Sequence, residues 1–287
     1  MMKLVTEAVL EALLDSLKLL PFLFLTYLLM EFLEHKAGDR LNAKVTAAGR
    51  VGPLWGAALG LLPQCGFSAA TAEFYVGGLV STGTLLAVFL ATSDEMLPVF
   101  LGEGLPVRVI AVVLGIKFLI ALLCGFVTDL LLRRPKERSV SELCQKERCH
   151  CERGIFVSAA YHTARTLVFV LLINVMLGVA LAFVGTERLS AFLLRVPFLA
   201  PVLSALLGLV PNCAVSVAIA TLYARGVLSF GALLAGLLPG AGAGLLVLFR
   251  ASRREKRFLW FLPALFLIGV AFGFLFDFTG LSGLLGI

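Results

Sequence analysis

Two short motifs carry the residues best suited to bind a solute: Pro63-Gln64-Cys65-Gly66-Phe67-Ser68 and Pro211-Asn212-Cys213-Ala214-Val215-Ser216. Each sets an amide, a thiol and a hydroxyl side chain just after a proline. Proline removes a backbone donor and clashes with the preceding turn, so each motif interrupts a helix. The helix that restarts after the break offers free amides to an anion or a polar oxygen. Carbonyls before the break can hold a cation. The plainer alternative is a proline kink packed against its neighbours. Thiolates suit soft metals, whereas oxygen ligands suit hard divalent ions such as manganese. Oxygen ligands stand at Thr92-Ser93-Asp94-Glu95, at the end of an apolar block. Adjacent carboxylates at membrane depth are costly unless paired or metal-bound; a solvated outer loop is the other reading, since Pro98 and Glu103 follow closely. Lys117 lies in the middle of an apolar stretch. It is expected to face the protein interior and a carboxylate such as Asp94 or Glu95, because an unpaired charge there is expensive. Cys144, Cys149, His150 and Cys151 form a fourth group, which reads either as a small soft-metal site or as an incidental polar linker.

The elements that must position these groups are apolar blocks. The chain has 287 residues, 60% of them hydrophobic and 15% charged, against about 45–50% and about 25% in soluble domains. Mean hydropathy is +1.01. Residues 12–33, 105–132, 158–183 and 257–278 are long enough to span a bilayer, which takes about 20 residues. Residues 51–62 and 66–78 flank the first proline motif, and 198–210 and 214–225 flank the second. Each of these is short, and reads as a half-helix or as part of one long, broken segment. Residues 82–97 and 228–248 are apolar, and 186–196 read as an amphipathic, interfacial segment. Glu7, Glu11, Asp15 and Lys18 interrupt any signal-peptide core, so no cleavable leader is expected. The net charge of +6 sits in short loops between apolar blocks, a membrane pattern and no nucleic-acid signature.

The chain repeats itself at an offset of 148 residues. Gly60-Leu61-Leu62-Pro63 lies over Gly208-Leu209-Val210-Pro211, Tyr75 over Tyr223, Ser81 and Gly83 over Ser229 and Gly231, and Gly125-Phe126 and Asp129 over Gly273-Phe274 and Asp277. At 147, Asp15 and Lys18 lie over His162 and Arg165. Basic residues reverse their bias between the halves. Lys36, Arg40, Lys44 and Arg50 follow the first span, where the second half has Arg188 and Arg195. Arg108 alone precedes the last span of the first half, where the second half has Arg250, Arg253, Arg254, Lys256 and Arg257. Positive charge marks the cytoplasmic side, so the halves are expected to be inverted relative to each other, a plan that places a transport site at the repeat interface. The organisation expected is an all-α polytopic protein with repeats of about five helical segments at 1–132 and 155–287. Broken helices or re-entrant hairpins fall at Pro63 and Pro211. The linker, 133–154, is expected in the cytoplasm, where its thiols stay reduced, with both termini outside. Lys18, Arg165, His162 and Asp15 read as interfacial anchors, and Asp129 and Asp277 as end-of-span residues.

Leu62-Pro63-Gln64-Cys65-Gly66-Phe67-Ser68, the run from Gly83 to Glu95 and Val210-Pro211-Asn212-Cys213 resemble the bacterial and archaeal ten-helix heavy-metal exporters, variously labelled arsenic efflux proteins or manganese transporters. The Cys/His-bearing linker before a span near His162 is similar too, although its single histidine departs from the family pattern. The resemblance covers nearly the whole chain and implies a transporter of two five-helix repeats. No Gly-x-x-x-x-Gly-Lys-Ser/Thr loop, His-Glu-x-x-His or Gly-x-Ser-x-Gly is present, so neither nucleotide-driven pumping nor enzyme chemistry is expected. The reading is a secondary transporter of the inner membrane, exporting a metal ion or metalloid. Its pocket would be Gln64, Cys65, Ser68, Asp94, Glu95, Asn212, Cys213 and Ser216 with Lys117 as charge partner, the ion itself ligated by Cys65, Cys213, Asp94 and Glu95. No resident cofactor and no nucleic acid are expected; lipid and the solute are the partners, with a homo-oligomer left open. The alternative is a transporter or channel for an anion or small organic acid, favoured by Lys18, Lys117, Arg165 and the two half-helix N-termini.

Overall fold

The computed structural model of the chain describes residues 2–36, 51–62, 64–93, 96–132, 155–184, 197–251 and 258–280. Helices and turns make up all of these, with no strand among the described residues. The first half contains α1 (Met2–Lys36), α2 (Gly52–Gly60), α3 (Cys65–Val76), α4 (Thr82–Ala91), α5 (Met96–Gly102) and α6 (Val107–Leu131). The second contains α7 (Ile155–Val184), α8 (Ala200–Gly208), α9 (Cys213–Ala224), α10 (Phe230–Leu237), α11 (Ala243–Ala251) and α12 (Phe258–Thr279). A 3-10 turn, Pro197–Leu199, leads into α8. The described residues thus carry six helices per half where about five segments are expected. The added helices arise because the block starting at Thr82 breaks after Ala91 and resumes at Met96, and the block starting at Phe230 breaks after Leu237 and resumes at Ala243. The segment 186–196 lies outside the described residues.

Local chemistry sets the same boundaries in both halves. α2 and α8 each start on a proline in the first turn, where the missing N–H costs nothing. Ser81 and Ser229 cap α4 and α10 by accepting from Thr84 N and Ala232 N, each at 3.1 Å. α3 and α9 both end in a Schellman turn, with Leu79 N donating to Phe74 O and Val227 N to Leu222 O, each at 2.9 Å. That turn needs a left-handed residue, supplied by Gly78 (φ 74°) and Gly226 (φ 73°).

Packing follows from composition. α4 and α10 are apolar on every face, and every one of their residues is buried. α4 lies between α2 and α6, and α10 between α8 and α12. Backbones meet where glycines face each other: a Cβ on Gly83 would lie 2.1 Å from Gly125 O, and one on Gly231 would lie 2.2 Å from Gly273 O. The halves join through α1 on α7, α3 on α11 and α5 on α9. Phe100 and Tyr223 meet across the α5–α9 contact with centroids 5.9 Å apart, and an exposed Arg225–Glu103 ion pair at 3.4 Å lies beside it.

Asp129 and Asp277 do more than end their helices. Asp129 accepts from Gly83 N at 2.7 Å and Ser81 Oγ at 2.6 Å. Asp277 accepts from Gly231 N at 2.9 Å and Ser229 Oγ at 2.8 Å. Each carboxylate clasps the N-terminus of a central helix, where negative charge is favoured. Asp129→Ala is expected to cost about 1.5–3 kcal/mol, the range for hydrogen bonds to a charged group. Asp277→Ala is expected to cost less, because Asp277 is exposed and water replaces its partners. Thermal unfolding of the two variants in detergent checks the order.

Candidate functional site

The most deeply buried charge described is Lys117, at 0% exposure in the middle of α6. Its ammonium donates to the carbonyl of Thr92, the C-cap of α4, and to that of Leu237, the last residue of α10, at 3.1 Å. Carbonyls at a helix C-terminus lack intrahelical partners and form the negative end of the helix dipole. One lysine therefore holds the ends of the central helices of both halves. The expected inward orientation is met; Asp94 and Glu95, the carboxylates expected beside it, lie outside the described residues. The equivalent position in the second half is Leu265, 148 residues on and fully buried. Among the described residues, the position has a cation in the first half and an apolar side chain at the place 148 residues on.

Ser68 and Ser216 border the same region. A Cβ on Gly244 would lie 2.7 Å from the Ser68 Cβ, so the start of α11 presses on α3 there. A Cβ on Gly240 would lie 3.5 Å from Ser216 Oγ. Ser68, Ser216 and Lys117 thus converge on the stretch 237–244, where α10 gives way to α11. Ser68 Oγ donates to Cys65 O at 2.8 Å, fixing the first turn of α3. Cys65 is buried and Cys213 half-buried, and neither is in a disulfide. Gln64 and Asn212 occupy the N-cap positions of α3 and α9. Gln64 Nε2 donates to Lys18 O at 3.3 Å, and Asn212 Nδ2 to Asn174 O at 3.4 Å. Asn212 Oδ1 also accepts from Ala214 N at 2.8 Å, a bond that Gln64 does not form. The two amides therefore tie the restarted helices to α1 and α7. Among the described residues no three His, Cys, Asp or Glu side chains gather as a metal site. Cys144, Cys149, His150 and Cys151 lie outside the described residues.

A polar cluster between the halves has no counterpart among the pocket residues expected from sequence. Tyr27 Oη on α1 donates to Glu73 Oε1 on α3, and lies 2.7 Å from Thr166 Oγ1 on α7. Thr166 Oγ1 in turn donates to His162 O at 2.9 Å. The Tyr27 and His162 rings stack with centroids 5.6 Å apart. Glu73 and His162 are each 7% exposed. His162 is thus a packed interior residue and not an interfacial anchor: its ring is taken up by Tyr27. Lys18 and Arg165 are exposed, consistent with anchoring, and the Asp15 side chain lies outside the described set. The signal for Glu73 was present in the sequence. It is the only charged residue in the twelve of α3, and an ionisable group in such a segment marks a functional position by default.

Among the described residues, five segments are long and apolar enough to cross a membrane: Ala12–Leu29, Thr82–Gly102, Val107–Leu131, Phe156–Val179 and Leu259–Thr279. Their outward faces are apolar, with Leu123 60%, Leu172 65% and Leu267 63% exposed, a surface suited to lipid and not to water. This is a multi-pass helical membrane protein. The family model described as "Putative, 10TM heavy-metal exporter" matches residues 5–186, and the chain belongs to that family. The matched part runs from α1 to α7 and includes Gln64, Cys65, Ser68, Glu73 and Lys117. Neither a curated protein nor a solved structure matches the chain.

Proposed function

We propose that the chain is a secondary transporter of a bacterial-type inner membrane that exports a metal ion or metalloid, of the manganese or arsenic type. Residues 1–132 and 155–287 are inverted repeats, and helices broken at Pro63 and Pro211 meet at their interface. The linker 133–154 lies in the cytoplasm, where Cys144, Cys149, His150 and Cys151 form an entry-side metal site. The observation that carries this reading is the hold of Lys117 on the ends of α4 and α10. Asp94 and Glu95 stand two and three residues after Thr92 in the chain, within sequence reach of that ammonium. A cation bound beside that ammonium by these carboxylates and by Cys65 and Cys213 repels it and weakens its hold on the helix ends. Binding and the hold on the helix ends are then alternatives, which is the coupling an exporter needs. Gln64, Ser68, Asn212 and Ser216 supply neutral polar contacts around the ion.

Whole-cell elemental analysis tests the reading. Cells carrying the protein, an empty vector, an Asp94→Asn Glu95→Gln variant or a Cys65→Ser Cys213→Ser variant are grown with manganese, zinc, iron, arsenite and antimonite. One element is expected to fall in wild-type cells only. A hard ion is expected to depend on the acidic pair and a soft one on the two thiols, each loss being at least about tenfold, or about 1.4 kcal/mol. Level contents in all four strains would overturn metal export. The second reading, an anion or small organic acid, is favoured by a buried ammonium close to helices that restart at Cys65 and Cys213. Transport that needs Lys117 but neither thiol nor carboxylate would establish it.

A further inference from the structure

The cluster around Glu73 sits where four helices of both halves meet. Tyr27 comes from α1, Glu73 from α3, and Thr166 and His162 from α7. Arg250, on α11, acts electrostatically on the Tyr27 hydroxyl. The other helices packed on α3 are α2 and α4, and neither carries a titratable side chain. Among the described residues, Tyr27 bonds this carboxyl directly and His162 and Arg250 act on Tyr27 from the second half.

Its depth follows from register. Gln64 meets Lys18 and Glu73 meets Tyr27, so α1 and α3 run side by side in one direction. Glu73 is eight residues beyond Cys65, about 12 Å along the axis at ~1.5 Å per residue. The basic stretches all attach at that end: the loop from Lys36 to Arg50 follows α1, the linker precedes α7, and Arg250 opens the run to Arg257. By the distribution of positive charge this end is cytoplasmic. The cluster therefore lies between the Cys65 end of α3 and the cytoplasmic surface.

We infer that Glu73 is the proton-carrying group of the transport cycle, exchanging its proton with the cytoplasmic side while the Tyr27 hydroxyl changes partner between Glu73 and Thr166. The inference rests on the proposed transport activity and names its coupling ion. With Glu73 ionised, its carboxylate accepts the Tyr27 hydrogen. When Glu73 takes a proton from hydronium, leaving water, its own O–H donates to Tyr27 Oη, and the Tyr27 hydrogen turns to Thr166 Oγ1, 2.7 Å away. Thr166 keeps its own donation to His162 O. One proton enters and one leaves per cycle, and no other bond changes. Because Tyr27 and Glu73 belong to the first half and Thr166 to the second, the protonation state decides whether Tyr27 binds within its own half or across the interface. The equivalent second-half positions are Thr221 and Asn174, neither of which titrates, so the switch exists once.

Purified full-length protein in phosphatidylethanolamine–phosphatidylglycerol vesicles tests this in two ways. Manganese chloride and sodium arsenite are the transport probes, used separately. Glu73→Gln is expected to lose uptake driven by a pH gradient by at least about tenfold while keeping solute exchange without a gradient within about twofold. Gradient-driven uptake equal to wild type would overturn the inference. If wild type moves neither probe, the proposed function fails, and the second readout decides the present point alone. That readout is the infrared carboxylic C=O band that appears on acidifying the wild-type protein. One component of the band is expected to be missing in Glu73→Gln, so that the wild-type-minus-variant difference isolates it, and the pH midpoint of that component to move in Tyr27→Phe, which deletes one hydroxyl and keeps the ring. The Tyr27→Phe arm also serves if Glu73→Gln fails to accumulate. An unchanged band in Glu73→Gln, or an unchanged midpoint in Tyr27→Phe, would overturn it.

Discussion

Lys117→Met is expected to reduce transport about a hundredfold, equivalent to about 2.7 kcal/mol, while the protein still accumulates in the membrane. Two opposing terms decide the stability. Removing the ammonium leaves the Thr92 and Leu237 carbonyls short of a donor, at about 1–3 kcal/mol each. It also removes a fully buried charge, and replacing buried ionic groups by well-packed apolar ones is often neutral or stabilising. Leu265 shows that the equivalent place in the second half holds an apolar side chain of similar size, so methionine fits the frame. The net change in stability is therefore small, and the functional change is not. Lys117→Arg is expected to fail as well, since a planar guanidinium is too bulky for a site with no free surface. Uptake in vesicles, alongside the amount of folded protein on size-exclusion chromatography, separates the two effects. A Lys117→Met protein that transports normally would remove the central lysine from the mechanism.

Gly83→Val is expected to abolish accumulation of folded protein. A Cβ there meets Gly125 O at 2.1 Å and the Asp129 carboxylate at 2.6 Å. The nearest obstacle is backbone, which cannot turn aside, so the cost exceeds the usual overpacking range of about 1–3 kcal/mol. It also removes the close approach that lets Asp129 reach Gly83 N and Ser81 Oγ. Gly115→Val on α6 is the matched control, because nothing lies within 4 Å of its Cβ position. Membrane-fraction yield of the two variants measures the contrast. Equal yields would mean that the α4–α6 contact yields to a bulky side chain more easily than backbone packing allows.

Much of this arrangement was legible in the sequence, for reasons that differ by residue. The helices restarting at Cys65 and Cys213 could be read because proline and an N-cap side chain act locally. The inward turn of Lys117 could be read because a lone charge amid apolar residues has few options. Its partners could not. Thr92 O and Leu237 O are backbone atoms, and the second lies 120 residues away. The gaps after Ala91 and Leu237 fall at Thr92-Ser93-Asp94-Glu95 and at Pro239-Gly240, polar and helix-breaking residues whose apolar flanks read as the ends or interior of one segment. His162 was misplaced because its position near a helix start matches an anchor, whereas its burial depends on Tyr27, 135 residues earlier. Asp129 and Asp277 sat at recognisable helix ends, but their role as clasps needs the glycine contacts that bring α4 and α10 to them.

The glycine contacts also say where the molecule is stiff. Along α2–α4–α6 and α8–α10–α12 the parts in contact are largely backbone and small side chains, which have no rotamers to exchange. Each trio behaves as a solid lever. Lys117 reaches from one lever to the other on a long unbranched stem, and works as a fulcrum. Bending has then to be taken up outside these trios, and the α1–α7 contact, which holds Tyr27 and His162, is where rotatable side chains meet between the halves.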